Sequence, residues 1–117
     1  MRREIEKRLV AFASLIVGIT KTLDGSYASS CLINQIIRSG TSAALNYGEA
    51  QGAESRNDFV HKISIVLKEL KETKFNLQII YETKLSKSPD LVESALDETD
   101  QLVAIFHRTV MTARSKM

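Results

Sequence analysis

Apolar residues at Ile5, Leu9, Phe12, Ile16, Ile19 and Leu23 are separated by four, three, four, three and four positions. That rhythm keeps all six on one face of an α-helix, whereas a strand, with its period of two, would scatter them over both faces. The rhythm returns three times. Ile33, Ile36, Gly40, Ala43, Tyr47 and Ala50 form a second stripe, and Phe59, Ile63, Val66, Leu70, Thr73, Leu77 and Ile80 a third. Val92, Leu96, Leu102 or Val103, Phe106 and Val110 form the fourth. Helix-ending and helix-starting residues separate the stripes. Gly25 offers a left-handed stop and Ser26 an N-cap. Gly52 and Ala53 loosen the end of the second segment, and Ser55 with Asp58 three residues on makes a capping-box-like start for the third. After a break at residues 84–88, Ser88-Pro89 places an N-cap before a proline at the first helical position. Four amphipathic helices with short turns predict an all-α, antiparallel up-down four-helix bundle, one domain over residues 1–117. No strand-like alternation and no solenoid repeat competes.

Two features exceed a simple bundle. Val10, Ala13 and Val17 lie beside the main stripe of the first helix, and Ile65 and Ile79 lie away from the core stripe of the third. Extra apolar positions of this kind predict a second buried surface and therefore self-association. Gly40 and Gly48 each weaken the second helix by about 1 kcal/mol relative to alanine, a loss that packing should offset. Gly40, Ala43 and Ala44 leave a thin surface for close helix approach. Gly48-x-x-x-Gly52 has small-residue spacing, in surroundings too polar for a membrane.

The totals exclude several classes. A chain of 117 residues suffices for one compact core, and 44% hydrophobic with 26% charged residues is ordinary for a globular protein. A lone cysteine, Cys31, permits neither an internal disulfide nor a cysteine-rich zinc site, and a cytoplasmic location is expected. Arg2 and Arg3 before the apolar run at 9–19 imitate a signal peptide, but Glu4 and Glu6 interrupt the basic region. The run is also shorter than the roughly 20 residues that span a bilayer, so it reads as a buried helix and no membrane partner is expected.

Motifs of reaction chemistry are absent. There is no phosphate-binding glycine loop and no G-x-S-x-G elbow. Ser39 and Ser42 read as helix-packing residues. A di-iron bundle needs two Glu-x-x-His pairs, whereas this chain offers one Asp58-x-x-His61 and no carboxylate three residues before His107. No metal, no cofactor and no enzymatic activity are expected. Folding the third helix back on the second brings Arg38 level with residues 68–72, so Arg38 is expected to pair with Glu69 or Glu72. Asn46, Glu49 and Lys68 join them as a structural polar network on the same two helices.

Charge supplies the one hint of a ligand. The formal net charge is only +2. In an up-down bundle, however, Arg2, Arg3, Lys7 and Arg8 lie beside the end that carries Arg108, Arg114 and Lys116. Asp90, Glu93, Asp97, Glu98 and Asp100 gather toward the other end. Those seven cations are the candidate phosphate contacts, and a symmetric oligomer would multiply them. Helix-end complementarity accounts for part of the pattern, and no aromatic residues interleave for base stacking.

Gln35-Ile-Ile-Arg38-Ser39-Gly40-Thr41-Ser42, Asn46-Tyr47-Gly48-Glu49-Ala50, Asp58-Phe59, Lys62-x-Ser64-Ile65 and Leu67-Lys68-Glu69-x-Lys71-Glu72-Thr73 together resemble the bacterial four-helix-bundle family of 23S rRNA intervening-sequence proteins. The resemblance covers nearly the whole chain. It implies an antiparallel bundle assembled as a homopentamer, without established enzymatic activity. A related branch, the accessory variability proteins of diversity-generating retroelements, implies binding of nucleic acid and a reverse transcriptase through a basic surface.

The reading that follows is a non-enzymatic oligomeric bundle, a binding or scaffold module with RNA or a nucleic-acid-processing protein as its expected partner. The alternative is a protein-interaction adaptor of a mobile-element or toxin–antitoxin-like system that binds no nucleic acid. A third reading, a cryptic enzyme, requires an open pocket lined by Arg38, Glu69 and Glu72.

Overall fold

In the computed structural model, which describes residues 2–117, four α-helices follow one another: α1 (Arg2–Thr20), α2 (Tyr27–Gln51), α3 (Arg56–Glu82) and α4 (Pro89–Ser115). Each packs beside its neighbours in sequence, and α4 closes the ring on α1, giving an up-down bundle 46 × 21 × 21 Å. The α2–α3 seam is the most extensive and the α1–α4 seam the thinnest. Leu9, Phe12, Ile16 and Ile19 of α1 are fully enclosed, together with Ile36, Ala43, Ile63, Val66, Leu70, Leu77, Ile80, Val92, Leu102 and Phe106. The spacing pattern thus names most of the core, with shifts: on α4 Ala95 is buried and Leu96 only partly, on α3 Val60 is buried and Phe59 only partly, and Ile5, Leu23 and Ile33 are half-buried. Tyr47 and Phe106 meet edge to face, their centroids 5.6 Å apart. No helix among the described residues is long and apolar enough to cross a membrane.

The helix starts follow local chemistry. Ser26 Oγ accepts from Ser29 N at 3.2 Å, and Asp24 Oδ1 accepts from Ser26 N and Ser29 Oγ at 3.0 and 2.7 Å. These bonds hold the Asp24 carboxyl below its usual pKa, led by the Ser26 side chain. Ser55 Oγ accepts from Asp58 N at 3.0 Å. Ser88 occupies the N-cap position without a side-chain cap bond, and its own N–H donates to Ser86 Oγ at 2.9 Å. The proline that follows presets the φ of the first turn, and Leu91 N–H donates to Ser88 O at 3.0 Å.

Gly25 does not provide the expected left-handed stop. No glycine among the described residues has positive φ, and the left-handed position is Lys84, with φ 57°. The α1 end is closed instead by tight turns, with Thr22 N donating to Ile19 O at 2.9 Å, and by the facing loop. Asp24 N donates to Leu85 O at 3.0 Å, Lys87 N donates to Thr22 O at 2.8 Å, and Thr22 Oγ1 meets Ser86 Oγ at 2.7 Å. The two loops at this end are therefore stitched together as one cap.

Gly40 lets α1 approach α2 closely. A Cβ there would stand 3.0 Å from Ile16 Cγ2. Gly48 differs: nothing lies within 4 Å of the place a methyl would occupy, so no packing inside the subunit offsets its helix cost. On the far seam Arg8 forks onto Glu98, with Nη2 to Oε1 at 2.8 Å and Nε to Oε2 at 3.1 Å. That contact sets the register of α1 against α4. Arg2 then lies only about six residues beyond it toward the open end, whereas α4 continues to Ser115.

Candidate nucleic-acid interface

The register leaves the last turns of α4 flanked by two clefts. Residues four apart share one face of a helix. Arg108, Thr112 and Lys116 accordingly line one flank of α4, and His107, Met111 and Arg114 line the other. The first flank borders a cleft of about 730 Å³ at the open end of the bundle. Its floor is apolar, built from Ile5, Phe59, Ile105, Phe106 and Ala113, and its cations are Arg56, Arg108 and Lys116. The second flank borders a groove of about 430 Å³ along the α3–α4 seam, where Ser64, Lys68 and Lys71 face His107 and Arg114. No aspartate or glutamate lines either cleft. All seven basic side chains are exposed, and none has a carboxylate within ion-pair distance among the described residues.

The candidate phosphate contacts divide in the structure. Arg108, Arg114 and Lys116 stand at the two clefts. Arg3 and Lys7 are exposed on α1 and border neither. Arg2 pairs with Glu6 at 3.1 Å along its own helix. Arg8 is committed to Glu98, a bond that raises its pKa above the ordinary guanidinium value. Arg56 and Lys71 complete the clefts, although charge distribution along the sequence does not mark them as phosphate contacts. The signal for Lys71 is its spacing from Lys68, but a wheel of α3 alone does not say which flank meets α4.

The expected polar network resolves into separate contacts. Arg38 Nη1 lies 3.2 and 3.1 Å from the two Glu69 carboxylate oxygens, and Nη2 reaches Glu72. Beside them Thr73 Oγ1 meets Ser39 Oγ at 2.8 Å in the buried seam. Glu49 pairs with Lys62 at 2.6 Å, which raises the lysine's pKa. Asn46 Nδ2 donates within α2, to Ser42 O and Ser42 Oγ, each at 2.9 Å. Lys68 faces away, into the α3–α4 groove. Arg38, Glu69 and Glu72 line neither cleft, and their arrangement is a clasp between helices. His61 is exposed, and among the described residues no group of three potential metal ligands forms. Toward the other end the acids are engaged: Asp100 with Lys74 at 2.8 Å, and Glu93 accepting from the Tyr81 hydroxyl at 2.5 Å, which raises the tyrosine's pKa.

Among solved structures, a Bacteroides thetaiotaomicron protein of unknown function from the S23 ribosomal protein family is 30% identical, with a TM-score of 0.80. The likeness covers 91% of this chain and 97% of that one. No curated protein sequence matches the chain. Residues 2–108 match the 23S rRNA-intervening sequence proteins, and the chain belongs to that family.

Proposed function

We propose that the protein is a non-enzymatic, self-associating bundle that binds RNA through the open end of α4 and the facing turns of α3. The observation that carries this reading is the pair of acid-free clefts. Lys68, Lys71, His107 and Arg114 border one, Arg56, Arg108 and Lys116 border the other, and all are exposed without ion-pair partners. Cations already held by carboxylates exchange poorly for phosphate, whereas free ones release counterions when phosphate replaces solvent. Self-association would set several copies of this end side by side. The family resemblance gives five as the expected number.

Fluorescence anisotropy with a structured RNA, titrated across salt concentration, tests the reading. Affinity should fall steeply with salt, and each lost phosphate contact should reduce the logarithmic slope by about 1. Lys71→Glu with Arg114→Glu should weaken binding, whereas Lys21→Glu, at the stitched end, should leave it unchanged. Absent or salt-indifferent binding overturns the proposal and favours the protein-interaction adaptor.

A further inference from the structure

The open-end cleft holds a feature that phosphate binding does not use. A phosphate backbone is satisfied by cations on an exposed surface. Here the cations Arg56, Arg108 and Lys116 surround half-buried Ile5, Phe59 and Ile105. A polar backbone lying over these side chains would leave their apolar surface in water. The α3–α4 groove is smaller, about 430 Å³, and its apolar lining is aliphatic, from Leu67, Val110 and Met111, with no phenylalanine. At about 730 Å³ the cleft also lies within the size range of small-molecule sites, which occur between the helices of bundles.

We infer that this cleft is a binding site for a small amphipathic anion, an aliphatic body carrying one acidic head group. The body would cover Ile5, Phe59 and Ile105, displacing water from apolar surface. The head would meet Arg108 and Lys116, which stand eight residues apart on one flank of α4, with Arg56 opposite on α3. The three cations of the rim supply the selectivity, since the nearby Glu6, whose charge reaches the lining Tyr47, is paired with Arg2: a neutral ligand gains nothing from the rim, and a cationic one is repelled. A carboxylate and a phosphate monoester share this chemistry, so both head groups belong in the test.

Decanoate, decyl phosphate and decanol serve as probes of the intact assembly, each below its aggregation or solubility limit. Calorimetry gives affinities, and methyl NMR of the isoleucines locates the ligand. Decanoate or decyl phosphate should shift the Ile5 and Ile105 methyl signals and bind about tenfold more tightly than decanol. Arg108→Glu with Lys116→Glu should remove that preference. Thr112→Trp, a change at an exposed lining residue, should block all three probes while circular dichroism stays unchanged. Equal binding of decanol, indifference to both variants, or unmoved Ile5 and Ile105 signals overturns the inference; the last result includes a cleft covered by a second copy. Lys71→Glu with Arg114→Glu alters only the other groove and should leave decanoate binding intact. Loss of the RNA reading and loss of this one are therefore separable.

Discussion

Gly40 and Gly48 occupy one helix and respond in opposite ways to the same substitution. Alanine in place of either glycine relieves a backbone cost of about 1 kcal/mol. At Gly40 the added methyl would stand 3.0 to 3.2 Å from three atoms of Ile16, a fully buried side chain with little room to give. Overpacking of this kind costs about 1–3 kcal/mol. Gly40→Ala should therefore lower the denaturant midpoint, and Gly48→Ala, with nothing near its new methyl, should raise it by up to about 1 kcal/mol in stability. Equal shifts of one sign would show that Ile16 does not constrain Gly40. Asp24 gives a second test at this scale. Its folded carboxyl pKa is lowered by the Ser26 and Ser29 bonds. The contribution is present above the ordinary aspartate value, about 3.9, and is lost as pH falls through the lower folded value. Amide signals at the start of α2 should respond to acid in that window, and in Asp24→Asn that response should vanish. Ser26 was legible as a cap from sequence because capping needs only local residues. The left-handed Lys84 was not, because it closes α3 with a local cap, its N–H donating to Tyr81 O at 3.2 Å and Leu85 N–H to Ile80 O at 3.3 Å, at a position where glycine is the usual signal.

The helices themselves were legible because burial imposes their period. Every residue of the α1 stripe from Leu9 to Ile19 is enclosed, and Ser55 opens α3 at the expected place. Rotation of one helix about another was not legible. Lys68 was grouped with Arg38 from sequence, but the packed bundle turns it toward His107 and Arg114. The same packing makes α1 the element least held, since its seam with α4 is thin and centred on Arg8 and Glu98. Local opening follows such seams. Hydrogen exchange should be fastest in α1 among the helix interiors, and Arg8→Ala should accelerate it there by removing a bond worth about 1 kcal/mol, with little change in α2 and α3. Uniform acceleration across all four helices would mean that α1 opens only with global unfolding.

At the scale of the molecule, apolar surface remains where no helix of the bundle covers it. Leu45 is 66% exposed and Val10 59%. Ile16 meets Gly40 across the α1–α2 seam, so Val10, six residues earlier, and Leu45, five later, lie near one level. Arg38 beside Glu72 sets the α2–α3 register in turn, placing half-buried Ile65 at about the level of Leu45. Val10, Leu45 and Ile65 therefore stand at about one level on three consecutive helices. Single exposed hydrophobes are common, whereas larger apolar patches mark interfaces, and we infer that these three residues belong to one. The extra apolar positions read on α1 and α3 include Val10 and Ile65; Leu45 was missed because it belongs to no stripe within α2. Leu45→Lys leaves the core untouched and places a charge where a neighbouring copy would exclude water. Native mass spectrometry should find the unmodified protein as an oligomer at micromolar concentration and the variant as smaller species, with helical content preserved. A monomeric unmodified protein, or a variant of unchanged mass, would remove self-association and with it the repeated cationic end on which tight RNA binding depends.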